Sequence, residues 1–139
     1  MADPPVLDHI GIAVESLAEG RRFYEALGLS VEGEDEVPEQ GVRVAFLPVG
    51  DSRLELLEPT STSSPIARHI EKRGPGLHHI CLRVADIRRT MMSLRDQGYT
   101  LLSDEPQVGA HGCLVAFVHP RSTAGVLLEL SQPTAVDEG

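Results

Sequence analysis

Aromatic residues make up only 4% of this 139-residue chain and tryptophan is absent, which disfavours recognition by stacking on bases or sugar rings. Basic residues are also sparse: 12 Lys and Arg stand against 21 Asp and Glu, a net charge of −9. Nucleic-acid binding is disfavoured, because neutralising phosphates requires clustered cations. An anionic substrate must therefore be held by local groups, since the field of the whole protein repels it. Nowhere does an apolar run approach the roughly 20 residues that a membrane-spanning helix needs. The first ten residues lack a basic start followed by an apolar stretch, so no secretory signal is expected. Cys81 and Cys113 lie 32 positions apart with no CxxC spacing, which reads as two reduced thiols in a cytoplasmic protein. With 41% hydrophobic residues, enough apolar material remains for one compact domain or two small modules sharing a core.

What the chain does contain is an internal repeat. Leu7-Asp8-His9-Ile10-Gly11-Ile12-Ala13-Val14 aligns with Leu77-His78-His79-Ile80-Cys81-Leu82-Arg83-Val84 at an offset of 70 residues. The register persists downstream. Ser16 and Asp86, both good helix N-caps, follow the two histidines at equal distance, as do Gly28 and Gly98 at helix C-terminal positions. Later, Ala45-Phe46-Leu47-Pro48 leads to Leu54-Glu55-Leu56, and Ala116-Phe117-Val118-His119-Pro120 leads to Leu128-Glu129-Leu130. From proline to glutamate is seven residues in the first copy and nine in the second, a turn of different length.

Both copies read strand, helix, strand, strand, strand. The expected fold is α+β, two tandem βαβββ modules. Strands are predicted over 6–14, 30–36, 41–48 and 53–58 with a helix at 17–27, then over 77–84, 99–103, 112–118 and 126–131 with a helix at 87–97. Ser16 and Glu19 have capping-box spacing, and Leu17, Arg21, Tyr24, Ala26 and Leu27 give the first helix a modestly apolar face. A single domain is expected, with module one at 6–59, a linker helix within 60–76 and module two at 77–133; residues 134–139 read as a frayed acidic tail.

Strand alternation assigns the faces. Ile10, Ile12 and Val14 point one way and His9, Gly11 and Ala13 the other; Ile80, Leu82 and Val84 likewise oppose His79, Cys81 and Arg83. Glu55 and Glu129 each sit between leucines in a short apolar strand, where burial of a carboxylate is costly without a partner. Taken singly, each of the four would read as a surface residue. Their joint recurrence points instead to four ligands, His9, Glu55, His79 and Glu129, for one divalent cation. His78 is set aside because it alternates onto the apolar face; His69, His111 and His119 have no repeat partners and read as surface or substrate-loop residues. A mixed nitrogen and oxygen set suits Co, Ni, Mn, Fe or Zn, and the lack of thiolate disfavours a structural zinc.

These stretches, with Pro38-Glu39-Gln40-Gly41-Val42, Gly76-Leu77-His78-His79-Ile80 and His119-Pro120-Arg121-Ser122, resemble the vicinal oxygen chelate superfamily and, within it, the methylmalonyl-CoA epimerase family. The resemblance runs from Leu7 to Pro133. It implies a vicinal oxygen chelate fold, in which the sheets of the two modules curve around a shared metal site, a homodimer, an acyl-CoA substrate and one metal ion per chain, Co first, with Ni, Mn or Zn as alternatives. It also implies that His9, Glu55, His79 and Glu129 are the ligands, and that the reaction moves the proton between a thioester and a carboxylate through a metal-stabilised enolate. Glu55 and Glu129 are then the expected acid/base pair, with Glu39 as an alternative base. Some epimerases carry Gln at the position of Glu55 and a separate Glu at the position of Val44. The Glu–Glu arrangement here is also that of glyoxalase I, so lactoylglutathione lyase remains an alternative, as does a metal-free small-molecule-binding protein on the same scaffold. Gly109 and Gly112 are candidates for close backbone approach to a carboxylate, and Arg121 and Ser122 for contact with the acyl or CoA portion.

Overall fold

The computed structural model describes residues 4–134, so all but the first residue of the expected acidic tail lies outside the described residues. The described residues divide into two compact units, residues 9–78 and residues 79–134 together with 4–8, and the division falls close to the two repeat-related histidines.

In the first unit, β1 (Val6–Ala13) runs parallel to β4 (Ser52–Pro59), with His9 opposite Arg53 and Gly11 opposite Glu55. β3 (Val42–Val49) lies antiparallel between β4 and β2 (Gly33–Val37), which sets Phe46 opposite Glu55. The helix α1 (Leu17–Leu27) provides the crossover that a parallel strand pair requires. Alternation then separates the faces. Val14, Ala45, Leu47 and Leu56 pack with Leu17 into a core, flanked by Ile12, Leu54 and Tyr24. Burying a leucine as fully as Leu47 or Leu56 stabilises by about 1.5–3 kcal/mol.

The second unit repeats the scheme. β5 (Gly76–Arg83) runs parallel to β8 (Leu128–Gln132), with Cys81 opposite Glu129. β7 (Leu114–Val118) lies antiparallel to β8, with Phe117 opposite Glu129, and β6 (Gln107–Val108) is a two-residue edge. From α3 (Ile87–Asp96), Ile87 and Met91 fill a core with Val84, Ala116, Val118 and Leu130. The linker helix α2 (Pro65–Arg73) is capped by the Ser64 hydroxyl, which accepts from the Ala67 N–H at 3.1 Å, and has proline in its first turn. Gly41 is required before it: its φ is +63°, and a Cβ there would meet the Ser64 Cβ at 2.7 Å.

Both predicted N-caps form, with Ser16 Oγ accepting from the Glu19 N–H at 3.3 Å and Asp86 Oδ1 from the Arg89 N–H at 3.1 Å. The second half of the predicted capping box is replaced: the Glu19 carboxylate pairs with Arg22, and a residue distant in sequence reaches the helix start. Glu58 Oε1 accepts from the Leu17 N–H at 2.8 Å, and Gln132 Oε1 accepts from the Ile87 N–H at 2.8 Å. These two contacts are themselves repeat-equivalent. Each closes its module by tying the final strand to an N–H group that the helix cannot satisfy internally.

Three expectations are corrected. The strand predicted over 99–103 reduces to a single bridge between Leu101 and Val118, because the Arg95 guanidinium takes the carbonyls of Ser103 and Asp104 and draws the chain off the sheet edge. The strand predicted from residue 30 begins at Gly33, after a Leu29 N–H to Tyr24 carbonyl bond has wrapped the chain around the helix end. Leu27, placed on the apolar face by periodicity together with Leu17 and Tyr24, is exposed, while Leu17 and Tyr24 pack on the core as expected. Among the described residues, no helix is long and apolar enough to cross a membrane.

Candidate metal centre

In the first unit, His9 comes from β1 and Glu55 from the centre of β4, both on the face opposite the α1 core. Both are buried, each 5% exposed. His9 Nδ1 lies 3.3 Å from Glu55 Oε2. The same oxygen accepts from Arg53, whose Nη2 and Nε stand 2.6 and 2.7 Å away. Arg53 is two residues before Glu55 and so shares its face, and its guanidinium carbon lies 5.7 Å from the centre of the Phe46 ring.

In the second unit, His79 from β5 and Glu129 from β8 are each 8% exposed, and His79 Nε2 lies 3.0 Å from Glu129 Oε1. Phe117, the repeat partner of Phe46, packs edge-on against His79 at 6.2 Å between ring centres. Arg83, on the same strand face as His79, reaches Asp8 at 3.7 Å. Each module therefore brings one buried histidine against one buried glutamate, beside a phenylalanine. Among the described residues no buried side-chain nitrogen or oxygen lacks a hydrogen-bond partner, so these polar groups are placed without an uncompensated desolvation cost.

The donor chemistry fits a metal. His9, His79 and Glu129 are candidate metal-binding residues, as are Asp8, His9 and Cys81; Glu55, expected as a ligand, falls in neither group. A set of imidazoles and carboxylates without thiolate suits a divalent first-row ion held for catalysis. Neither Cys81 nor Cys113 forms a disulfide.

The remaining histidines have structural surroundings. His69 packs edge-on against His78 with ring centres 4.8 Å apart, and partial burial, aided by Arg73, lowers its pKa against the opposing hydrogen bond that the ring donates to the Leu77 backbone. His119 Nδ1 accepts from the Arg121 N–H at 2.9 Å, capping the tight turn over Pro120–Thr123. The Ser122 hydroxyl accepts from the Thr100 N–H at 3.0 Å, which occupies a side chain considered for substrate contact; Arg121 is exposed. Gly109 answers to packing, since a Cβ there would approach Val115 Cγ1 at 2.9 Å. His111, between Gly109 and Gly112 and its strand, adopts φ +58°, uncommon for a residue with a side chain. Glu39 is exposed on the turn Pro38–Gln40. Arg53 was not singled out from sequence, although its spacing from Glu55 carried the signal.

A model of the Glyoxalase/Bleomycin resistance protein/Dioxygenase superfamily matches residues 8–117. The ethylmalonyl-CoA/methylmalonyl-CoA epimerase of Cereibacter sphaeroides is 40% identical over 91% of this chain and 96% of that protein. The chain belongs to this superfamily, in its methylmalonyl-CoA epimerase family. The mitochondrial methylmalonyl-CoA epimerase of Bos taurus is 41% identical over 91% of this chain and 73% of its own length. A solved structure of methylmalonyl-CoA epimerase in complex with methylmalonyl-CoA and NH4+ matches with a TM-score of 0.88, at 39% identity, covering 96% of this chain and 98% of that one. The fold is accordingly the α+β vicinal oxygen chelate fold, as the resemblance implied.

Proposed function

We propose that this chain epimerises methylmalonyl-CoA at C2. Support comes from relatives with that name over nearly the whole chain, and from the buried histidine–glutamate pair that recurs in both modules. In this reading the modules at 6–59 and 77–133, joined by the linker helix within 60–76, act as one domain, and His9, Glu55, His79 and Glu129 hold one divalent ion, cobalt in the native protein. When bound, the ion supplies a Lewis acid for negative charge developing on the substrate oxygens.

The protein's own groups do the proton work. The hydrogen at C2 lies between a thioester and a carboxylate, and its removal leaves a planar enolate. One glutamate takes that proton from one face, and the other delivers a proton to the opposite face, inverting the centre. Glu55 and Glu129, related by the repeat, are assigned these roles. Their burial keeps bulk water from competing for the carbanion. A homodimer in the cytoplasm completes the proposal.

The test uses purified protein in deuterated buffer with (2S)-methylmalonyl-CoA, and separately with methylglyoxal and glutathione. Deuterium entering C2 together with formation of the opposite epimer is the expected result. Turnover of the glutathione adduct alone would assign the site to lactoylglutathione lyase chemistry.

A further inference from the structure

The two glutamates have the same place in their modules but different neighbours. Each faces a phenylalanine across the antiparallel strand pair, Phe46 for Glu55 and Phe117 for Glu129. Two residues before the glutamate the copies diverge: Arg53, on the same face of β4 as Glu55, in the first, and Leu127, just ahead of β8, in the second. Departures from an internal repeat mark where the halves have taken separate tasks. Here the change exchanges a branched apolar side chain for a fixed cation.

We infer that Arg53 is a positioning residue, which fixes the Glu55 carboxylate by holding its Oε2 and so sets its orientation in the proposed metal site. The inference rests on the proposed metal site. Both Nε and Nη2 of Arg53 converge on Oε2, at 2.7 and 2.6 Å, and His9 Nδ1 adds a third approach to the same atom at 3.3 Å. A carboxylate gripped through one oxygen cannot rotate about its terminal bond without breaking these contacts.

The clamp is itself held in place. The guanidinium lies over the Phe46 ring, and Phe46 is 7% exposed, so the aromatic support is immobilised in the sheet. In the strand register Arg53 is the direct partner of His9, and Glu55 the direct partner of Phe46. One patch of three adjacent strands thus carries imidazole, carboxylate, guanidinium and ring. Contacts of this kind, one step removed from a metal, orient the ligand and commonly change affinity as much as a weak ligand does. Lysine would supply the charge at Arg53 without the planar pair of donors.

The measurement is the equilibrium affinity for Co2+, by calorimetric titration of metal-stripped protein, in the parent, Arg53→Ala, Arg53→Lys and the control Arg43→Ala. Arg43 pairs with Glu36 and Glu58, away from His9 and Glu55, so its variant should keep parental affinity. Arg53→Ala is expected to weaken Co2+ binding by about 10- to 100-fold, and Arg53→Lys by less, about 3- to 10-fold. Thermal melts of the stripped proteins report folding separately from metal binding. A folded Arg53→Ala protein within about two-fold of the parent overturns the inference while leaving the metal site intact. Should Arg53→Ala fail to fold, the lysine variant decides, and parental affinity in it overturns the inference. A parent that binds no Co2+ overturns the proposed metal site as well.

Discussion

Replacing Glu129 by glutamine is expected to lower the epimerisation rate by about 10²- to 10⁴-fold, the range attributed to one general acid/base. The substitution keeps shape and one carbonyl oxygen in the buried position beside His79, but removes the ability to carry a proton. Inversion needs both faces, whereas isotope exchange without inversion needs only one. The Glu129→Gln protein should therefore still exchange the C2 hydrogen of one epimer with deuterated solvent, through Glu55, while forming almost none of the other. Glu55→Gln should show the complementary preference, and the double variant neither. The assay is NMR of each separate epimer in deuterated buffer. Epimerisation by Glu129→Gln within about ten-fold of the parent would remove Glu129 from proton transfer.

On the proposed ligand set, His79→Ala and His9→Ala are expected to lose tight binding of divalent metal, each by at least about 100-fold, because one proposed ligand nitrogen disappears and its buried carboxylate neighbour loses a partner. The informative feature is the capacity that remains. The two histidines belong to different compact units, so loss of all metal binding from either single variant argues for one shared ion, whereas loss of half the capacity from each would mean one site per module. If His9→Ala lost metal and His79→Ala kept it, a site contained in one module would be the better account. Cobalt titration followed by calorimetry measures both.

Much of this arrangement was legible because the repeat gave every reading a second witness. The alternation of Ile12 and Val14 against His9, and of Leu54 and Leu56 against Glu55, assigned the core face correctly, since a strand with one buried side has no other register. Ser16 and Asp86 announced their helices because an N-cap is a local event, decided within one turn. What escaped depends on partners distant in sequence. Arg95 pulls residues 103 and 104 off the edge where a strand was predicted, and no local propensity encodes that capture. Glu58 and Gln132 reach helices 41 and 45 residues away in sequence, and only the folded crossover brings them there. At the site, the repeat singled out the two histidines and two glutamates that the structure pairs within each module, whereas Arg53 had only its two-residue spacing from Glu55 to mark it, since its counterpart, Leu127, carries no charge.

The account stands on two duplicated modules contributing to a common cation. Elemental analysis of protein reconstituted with excess cobalt and then freed of loose ions tests it most directly. One cobalt per polypeptide is the result this account requires. Two per polypeptide would mean that each histidine–glutamate pair binds independently, and none would mean that these buried groups serve only to hold the fold together.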